Sequence, residues 1–172
     1  MTWRPHTLVE VARRVAAGED SWSSATAEFL DTFYVFLRQG DLISAQAALN
    51  GEPEPLADAI LQAQLGGIGE HLALRWGLNV PAWTNHPSRF LKRPYFTTPL
   101  DGFKAMLIAE SPLAFRRRMI FTEAEPLRRA RFPRAPGGRA LEREEIRQGV
   151  PVPPVRARIP EEKAKGPRPL DP

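Results

Sequence analysis

Apolar side chains recur at three- and four-residue steps through the first half of the chain, the period of an α-helix with one buried face. In residues 7–17, Leu8, Val11 and Val15 keep that spacing, and Gly18 follows, a usual residue just past a helix end. Glu19 to Ser24 reads as a polar turn. From Ala25 to Arg38, Phe29, Leu30, Phe33, Phe36 and Leu37 form an apolar stripe with Glu28, Asp31 and Arg38 between them, and Gly40 closes the element. Asp41 then offers an N-cap for a shorter helix reaching Leu49.

The segment NGEPEP (50–55) predicts a loop, with Pro55 suited to the first position of the next helix. Leu61, Leu65, Ile68, Leu72 and Trp76 mark that helix through residues 56–77. Gly66, Gly67 and Gly69 interrupt it at roughly 1 kcal/mol each relative to alanine, which predicts a close approach by another element, or a kink. Residues 79–99 hold four prolines and read as an ordered loop, whose Trp83, Phe90, Tyr95 and Phe96 are expected to pack on the preceding stripe.

Two threonine- or serine-proline signals follow. Thr98 as N-cap with Pro99 and Asp101 predicts a helix over 99–110 that buries Phe103, Met106 and Leu107. Ser111-Pro112 predicts another that buries Leu113 and Phe115, and Thr122 with Glu125 offers a further capping box ahead of Leu127. After Phe132 the periodicity stops. The expected architecture is all-α, or nearly so: a compact multi-helix domain over 5–130. Residues 131–172 form an extended, basic, proline-rich tail, disordered or laid along a partner.

Composition refines this picture in three ways. With 42% hydrophobic and 26% charged residues the chain has the balance of a soluble globular protein, and 172 residues suffice for one domain with its own core. No apolar run approaches the roughly 20 residues that cross a bilayer. The opening MTWRPHTLVEV lacks the apolar stretch of a secretory signal. The absence of cysteine removes disulfides, thiolate metal sites and a cysteine nucleophile, and fits the expected cytoplasmic location. Charge is distributed unevenly. The whole net charge of +4 falls in residues 131–172; residues 1–85 are acidic, with five basic against ten acidic side chains, whereas 86–130 carry nine against four.

Candidate chemistry is sparse. His6, His71 and His86 are far apart, without HExxH or an i, i+4 pair, so no metal site is expected. Gly66-Gly67-Ile68-Gly69 lies inside a helical stripe and lacks a phosphate-loop pattern, and the serines show no GxSxG elbow. No catalytic residue, cofactor or small-molecule substrate is expected. The strongest polar feature is Arg116-Arg117-Arg118, which on a helix fans over about 200° and so cannot face one ligand. With Arg89, Lys92 and Arg93 it forms either a basic surface for phosphates or an acidic partner, or a solvated face paired within the fold. Signatures of helix-turn-helix, zinc-finger, RNP and KH modules are missing.

Three phrases, GEHLALRWGLNVPAW (69–83), PSRFLKRPYF (87–96) and AESPLAFRRRMIFTEAEPLRRA (109–130), carry a resemblance in their order, joined by AEFLDTFY (27–34). Over roughly residues 25–130 the chain resembles bacterial antitoxin-like proteins, many of which place an Xre-type helix-turn-helix ahead of this region and are encoded beside a nucleotidyltransferase-like toxin. The helix-turn-helix is missing here, so the resemblance implies neutralisation of a partner more than operator binding. It implies a cognate toxin enzyme as partner, docked through the aromatic loop and basic helices and occluded at its active site. Arg156, Arg158 and Arg168 of the tail are expected along that partner's cleft. The alternative is a nucleic-acid-binding regulator that uses the basic 86–130 region and the tail.

Overall fold

A computed structural model describes residues 4–133 as a mostly helical body, α1 (Leu8–Ala16), α2 (Trp22–Arg38), α3 (Leu42–Asn50), α4 (Ala59–Trp76), α5 (Lys104–Glu110) and α6 (Leu113–Arg116), with two short strands, β1 (Tyr95–Phe96) and β2 (Ile120–Phe121). Within these residues no helix is long and apolar enough to cross a membrane.

Local caps set the helix starts. The Thr7 hydroxyl accepts from the Glu10 N–H at 3.2 Å, while the Glu10 carboxylate accepts from the His6 N–H at 2.6 Å. α2 begins at Trp22, ahead of the expected Ala25, because the Ser21 hydroxyl accepts from the Ser24 N–H at 3.1 Å and shortens the polar turn. Asp41 caps α3 as expected, and its hydrogen bonds from Ser44 hold its carboxyl below the usual carboxylate range.

Pro55 does not open α4. Asp58 does, accepting from Ile60 and Leu61 N–H groups at 2.7 and 3.2 Å. The preceding segment is pinned instead by Gln62, whose Oε1 accepts from the Leu56 N–H at 2.9 Å. Gly77, at φ +67°, ends α4 in the left-handed region that a side chain would strain.

α4 is the central element, and its glycines are where others reach its backbone. A Cβ on Gly66 would lie 2.8 Å from the Arg89 side chain, one on Gly67 2.8 Å from Phe115, and one on Gly69 2.8 Å from Trp83. The turns at Ala82–Asn85 and Pro87–Arg89, together with α6, dock in these gaps. Close approach is therefore what the glycines provide. Around α4, Leu8, Phe29, Phe33, Leu37, Leu49, Leu65 and Leu72 form the buried core of the first four helices. Trp83 is anchored by its indole N–H donating to Leu49 O at 2.9 Å.

β1 and β2 pair in parallel, with Tyr95 opposite Ile120 and Phe96 opposite Phe121. Parallel strands need a crossover of a dozen or more residues, and residues 97–119, with α5 and α6, supply it. The loop expected over 79–99 is thus partly strand. Trp83 packs on α4 as expected, but Phe96 stacks on Phe121 at 5.0 Å and half-buried Phe90 lies beneath two arginines.

Three expected caps are not formed. Thr98 precedes an extended Leu100, and the chain enters a short turn at Asp101–Phe103 before α5; Asp101 pairs with Lys104 at 2.6 Å. Ser111 is buried, with its hydroxyl 2.5 Å from Leu107 O and accepting from the Thr122 N–H at 2.8 Å, so it ties α5 to β2. Thr122 is used in that same tie, and no helix follows it among the described residues.

The body also runs past the expected boundary at residue 130. Phe132 is buried, 5.2 Å from the Tyr34 ring and 5.3 Å from Trp76, and Pro133 is buried beside it. Tyr34 donates to Leu127 O at 2.6 Å, and burial raises its phenol pKa further. The proline-rich segment from residue 134, with Arg156, Arg158 and Arg168, lies outside the described residues.

Candidate docking site

The arginine run does not fan along a helix: Arg116 ends α6, Arg117 caps it and Arg118 lies in the turn that follows. Arg118 is fully buried, its guanidinium donating to the Glu70 carboxylate, to Ala114 O at 2.6 Å and to Thr84 O at 2.6 Å. Arg117 is partly exposed and donates to the other Glu70 oxygen at 3.0 Å and to Asn85 at 2.6 Å. Both guanidinium groups lie over the Phe90 ring, at 5.2 and 4.8 Å. Glu70 on α4, buried to 3% exposure, is therefore the joint that holds α6 and the loop together. Burial lowers the Arg118 pKa and the bond to Glu70 raises it; at physiological pH the side chain stays charged.

Arg89 is likewise internal. It donates to Gln62 Oε1 at 2.6 Å and to Pro53 O at 2.8 Å, and burial lowers its pKa first of all. Arg89 and Arg118 are thus removed from the expected partner surface, because both are spent satisfying interior acceptors. Of the other expected residues in the body, Lys92, Arg93 and Arg116 are exposed, and Arg117 is exposed but paired. Arg129 is held by Asp31 through two hydrogen bonds of 3.1 and 3.2 Å, which raise its pKa.

The sequence pattern missed an apolar surface along α5. Phe103, Met106 and Leu113, all expected inside, are 46%, 42% and 59% exposed, and Leu100 is 58% exposed. α5 has only seven residues and sends only Leu107 inward. A helix of about two turns offers few inward positions, so Met106 and Ile108 face out, while Phe103 lies in the turn before it. Leu100, Phe103, Met106 and Leu107 line an open groove of about 550 Å³, closed on the far side by Thr122, Glu123 and Pro126. Lys104 and Asp101 stand beside it, and Arg116 shares α6 with the exposed Leu113. A groove of this kind can seat apolar side chains of another protein while its charged edge selects orientation.

The histidines lie apart. His86 contacts Ser88 at 2.8 Å, and His71 is buried 5.6 Å from the Phe115 ring; burial, and then Arg75, push its pKa down to about 4. Among the described residues, no three His, Asp or Glu side chains form a cluster able to hold a metal ion. No protein-family model, curated protein or solved structure matches this chain.

Proposed function

We propose that this chain is an antitoxin-like binding protein that docks on a cognate toxin enzyme and occludes its active site. The observation that carries the reading is the groove along α5: Leu100, Phe103 and Met106 line it and stand 42–58% exposed, and Ile108 of α5 and Leu113 of α6 are exposed as well. Apolar area held out of a well-formed core favours association over a solitary state. The docking element is the α5 groove and not the aromatic loop, since Trp83, Phe90 and Phe96 are engaged within the fold. The sequence resemblance supplies the partner's class, a nucleotidyltransferase-like toxin, and Lys92, Arg93 and Arg116 supply exposed positive charge for its acidic surface.

The nucleic-acid reading loses ground, because Arg89, Arg117, Arg118 and Arg129 all have internal partners. The test is co-expression with the product of the adjacent gene as the candidate toxin, read by growth rescue and by a binding titration at low and high salt. Phe103→Asp with Met106→Asp should abolish rescue and weaken binding at least tenfold while leaving the helical spectrum unchanged. Undiminished rescue refutes the α5 groove. Binding to DNA that weakens steeply with salt, without binding to the toxin, favours the regulator instead.

A further inference from the structure

The α5 groove has an apolar row and an acidic edge. Leu100, Phe103 and Met106 follow one another at three-residue steps along it. A short turn rises about 2.0 Å and an α-helix about 1.5 Å per residue, so the row is roughly 10 Å long. Glu123 stands in the wall, Asp101 opens the turn that carries Phe103, and Glu110 ends α5. Lys104, already paired with Asp101, is the cation of that helix. A matching occupant is extended, with apolar side chains nearly 10 Å apart and positive charge at one end. Residues 150–158 of this chain, VPVPPVRAR, have that pattern. Pro151, Pro153 and Pro154 favour the polyproline-II form, which repeats every three residues at about 3.1 Å each. Val152 and Val155 would then share one edge roughly 9 Å apart, with Arg156 and Arg158 next and no acid among them.

We propose that residues 150–158 seat in the α5 groove of the same chain, Val152 and Val155 against the apolar row and Arg156 and Arg158 at its acidic edge. Proline-rich segments dock in grooves of this kind because their extended form is set before binding and little entropy is lost. The chain can reach. The described body ends at Pro133, close in sequence to Pro126 of the groove wall. From Pro133 to Val150 the chain extends to roughly 55–60 Å at most, against a width of roughly 35–40 Å for a body of this size. A tethered segment meets its site at an effective concentration in the millimolar range, so a weak contact suffices. The seating covers the apolar row while the chain is alone, and a partner must displace it. That consequence rests on the reading of α5 as a partner's docking surface; the seating itself does not.

The chain has no cysteine, so Ala157→Cys carries a nitroxide at a single place in the full chain. Carbon-13 methionine methyls report from the groove through Met106. The measurement is the Met106 methyl intensity with the nitroxide reduced, divided by that with it oxidised. This ratio should be at least threefold larger than in the same chain carrying Val152→Asp and Val155→Asp. A smaller difference overturns the proposal, and so does a ratio near one in the starting chain. Mixing nitroxide-bearing chain without carbon-13 and carbon-13 chain without nitroxide should give a ratio near one. A raised ratio in that mixture assigns the contact to a second copy and overturns seating within one chain. Adding the product of the adjacent gene should return the ratio in the starting chain to near one. Binding of that product without such a return refutes its docking on α5 and leaves the seating in place.

Discussion

His71 should make the protein acid-sensitive in a window where ordinary carboxylates are still ionised. It sits on α4, only 9% exposed, against Phe115, with its pKa pushed down to about 4 by burial and then by Arg75. In the unfolded chain the same imidazole titrates near 6.5. Above that pH it is neutral in both states and has no effect on stability. As pH falls, the unfolded state takes up the proton first, so stability declines until the folded state also protonates near pH 4. The shift corresponds to a total loss of about 3 kcal/mol, of which about 2 kcal/mol accrues between pH 7 and pH 5. Urea unfolding at pH 7, 6 and 5 measures this. His71→Leu, which cannot titrate, should flatten the dependence by that amount whatever its own stability. Equal slopes for the two proteins, or a His71 ring resonance titrating near 6.5 in the folded state, would refute the reasoning.

Removing Arg118 leaves the buried Glu70 carboxylate with only the partly exposed Arg117 as its cation and leaves Thr84 O and Ala114 O without that donor, so Arg118→Met should cost about 3–5 kcal/mol by urea unfolding, and adding Glu70→Gln should restore a measurable part. Gly67→Ala should destabilise by about 1–3 kcal/mol despite its better helix propensity, because the new methyl meets Phe115 at 2.8 Å. Truncation after Ala130 should lower stability by about 3–5 kcal/mol through loss of Phe132, while truncation after Pro133 should leave cooperative unfolding unchanged. Equal melting curves for the two truncations would contradict the placement of Phe132.

The parts of the fold legible in the sequence are those set by local period and local caps. The Phe29–Leu37 stripe, the Asp41 cap and the glycine gaps of α4 follow from spacing and from residues within one turn. What the sequence concealed depends on distant partners. Nothing near Arg118 tells that Glu70, forty-eight residues earlier, will receive it. Ser111 carries the local signature of a cap, yet the backbone of Thr122 claims its hydroxyl. Phe103 and Met106 have the composition of core residues, but hydrophobicity alone does not decide burial when a short helix has only one inward side. The sequence anticipated that the three arginines could not act together; which of them turns inward required the packing.

The place of Phe132 in the core also sets the order in which the core can close during synthesis. Its neighbours Tyr34 and Trp76 are made far earlier, and the hydrogen bond from Tyr34 to Leu127 spans ninety-three positions. At roughly 5–20 residues per second, the fifty-six residues from Trp76 to Phe132 take about 3–11 s to appear. Until Phe132 is added, the Tyr34 and Trp76 rings lack the ring that packs against both. A product that ends before Phe132 therefore lacks the cover over both rings, and the apolar surface left open is the kind that quality control recognises.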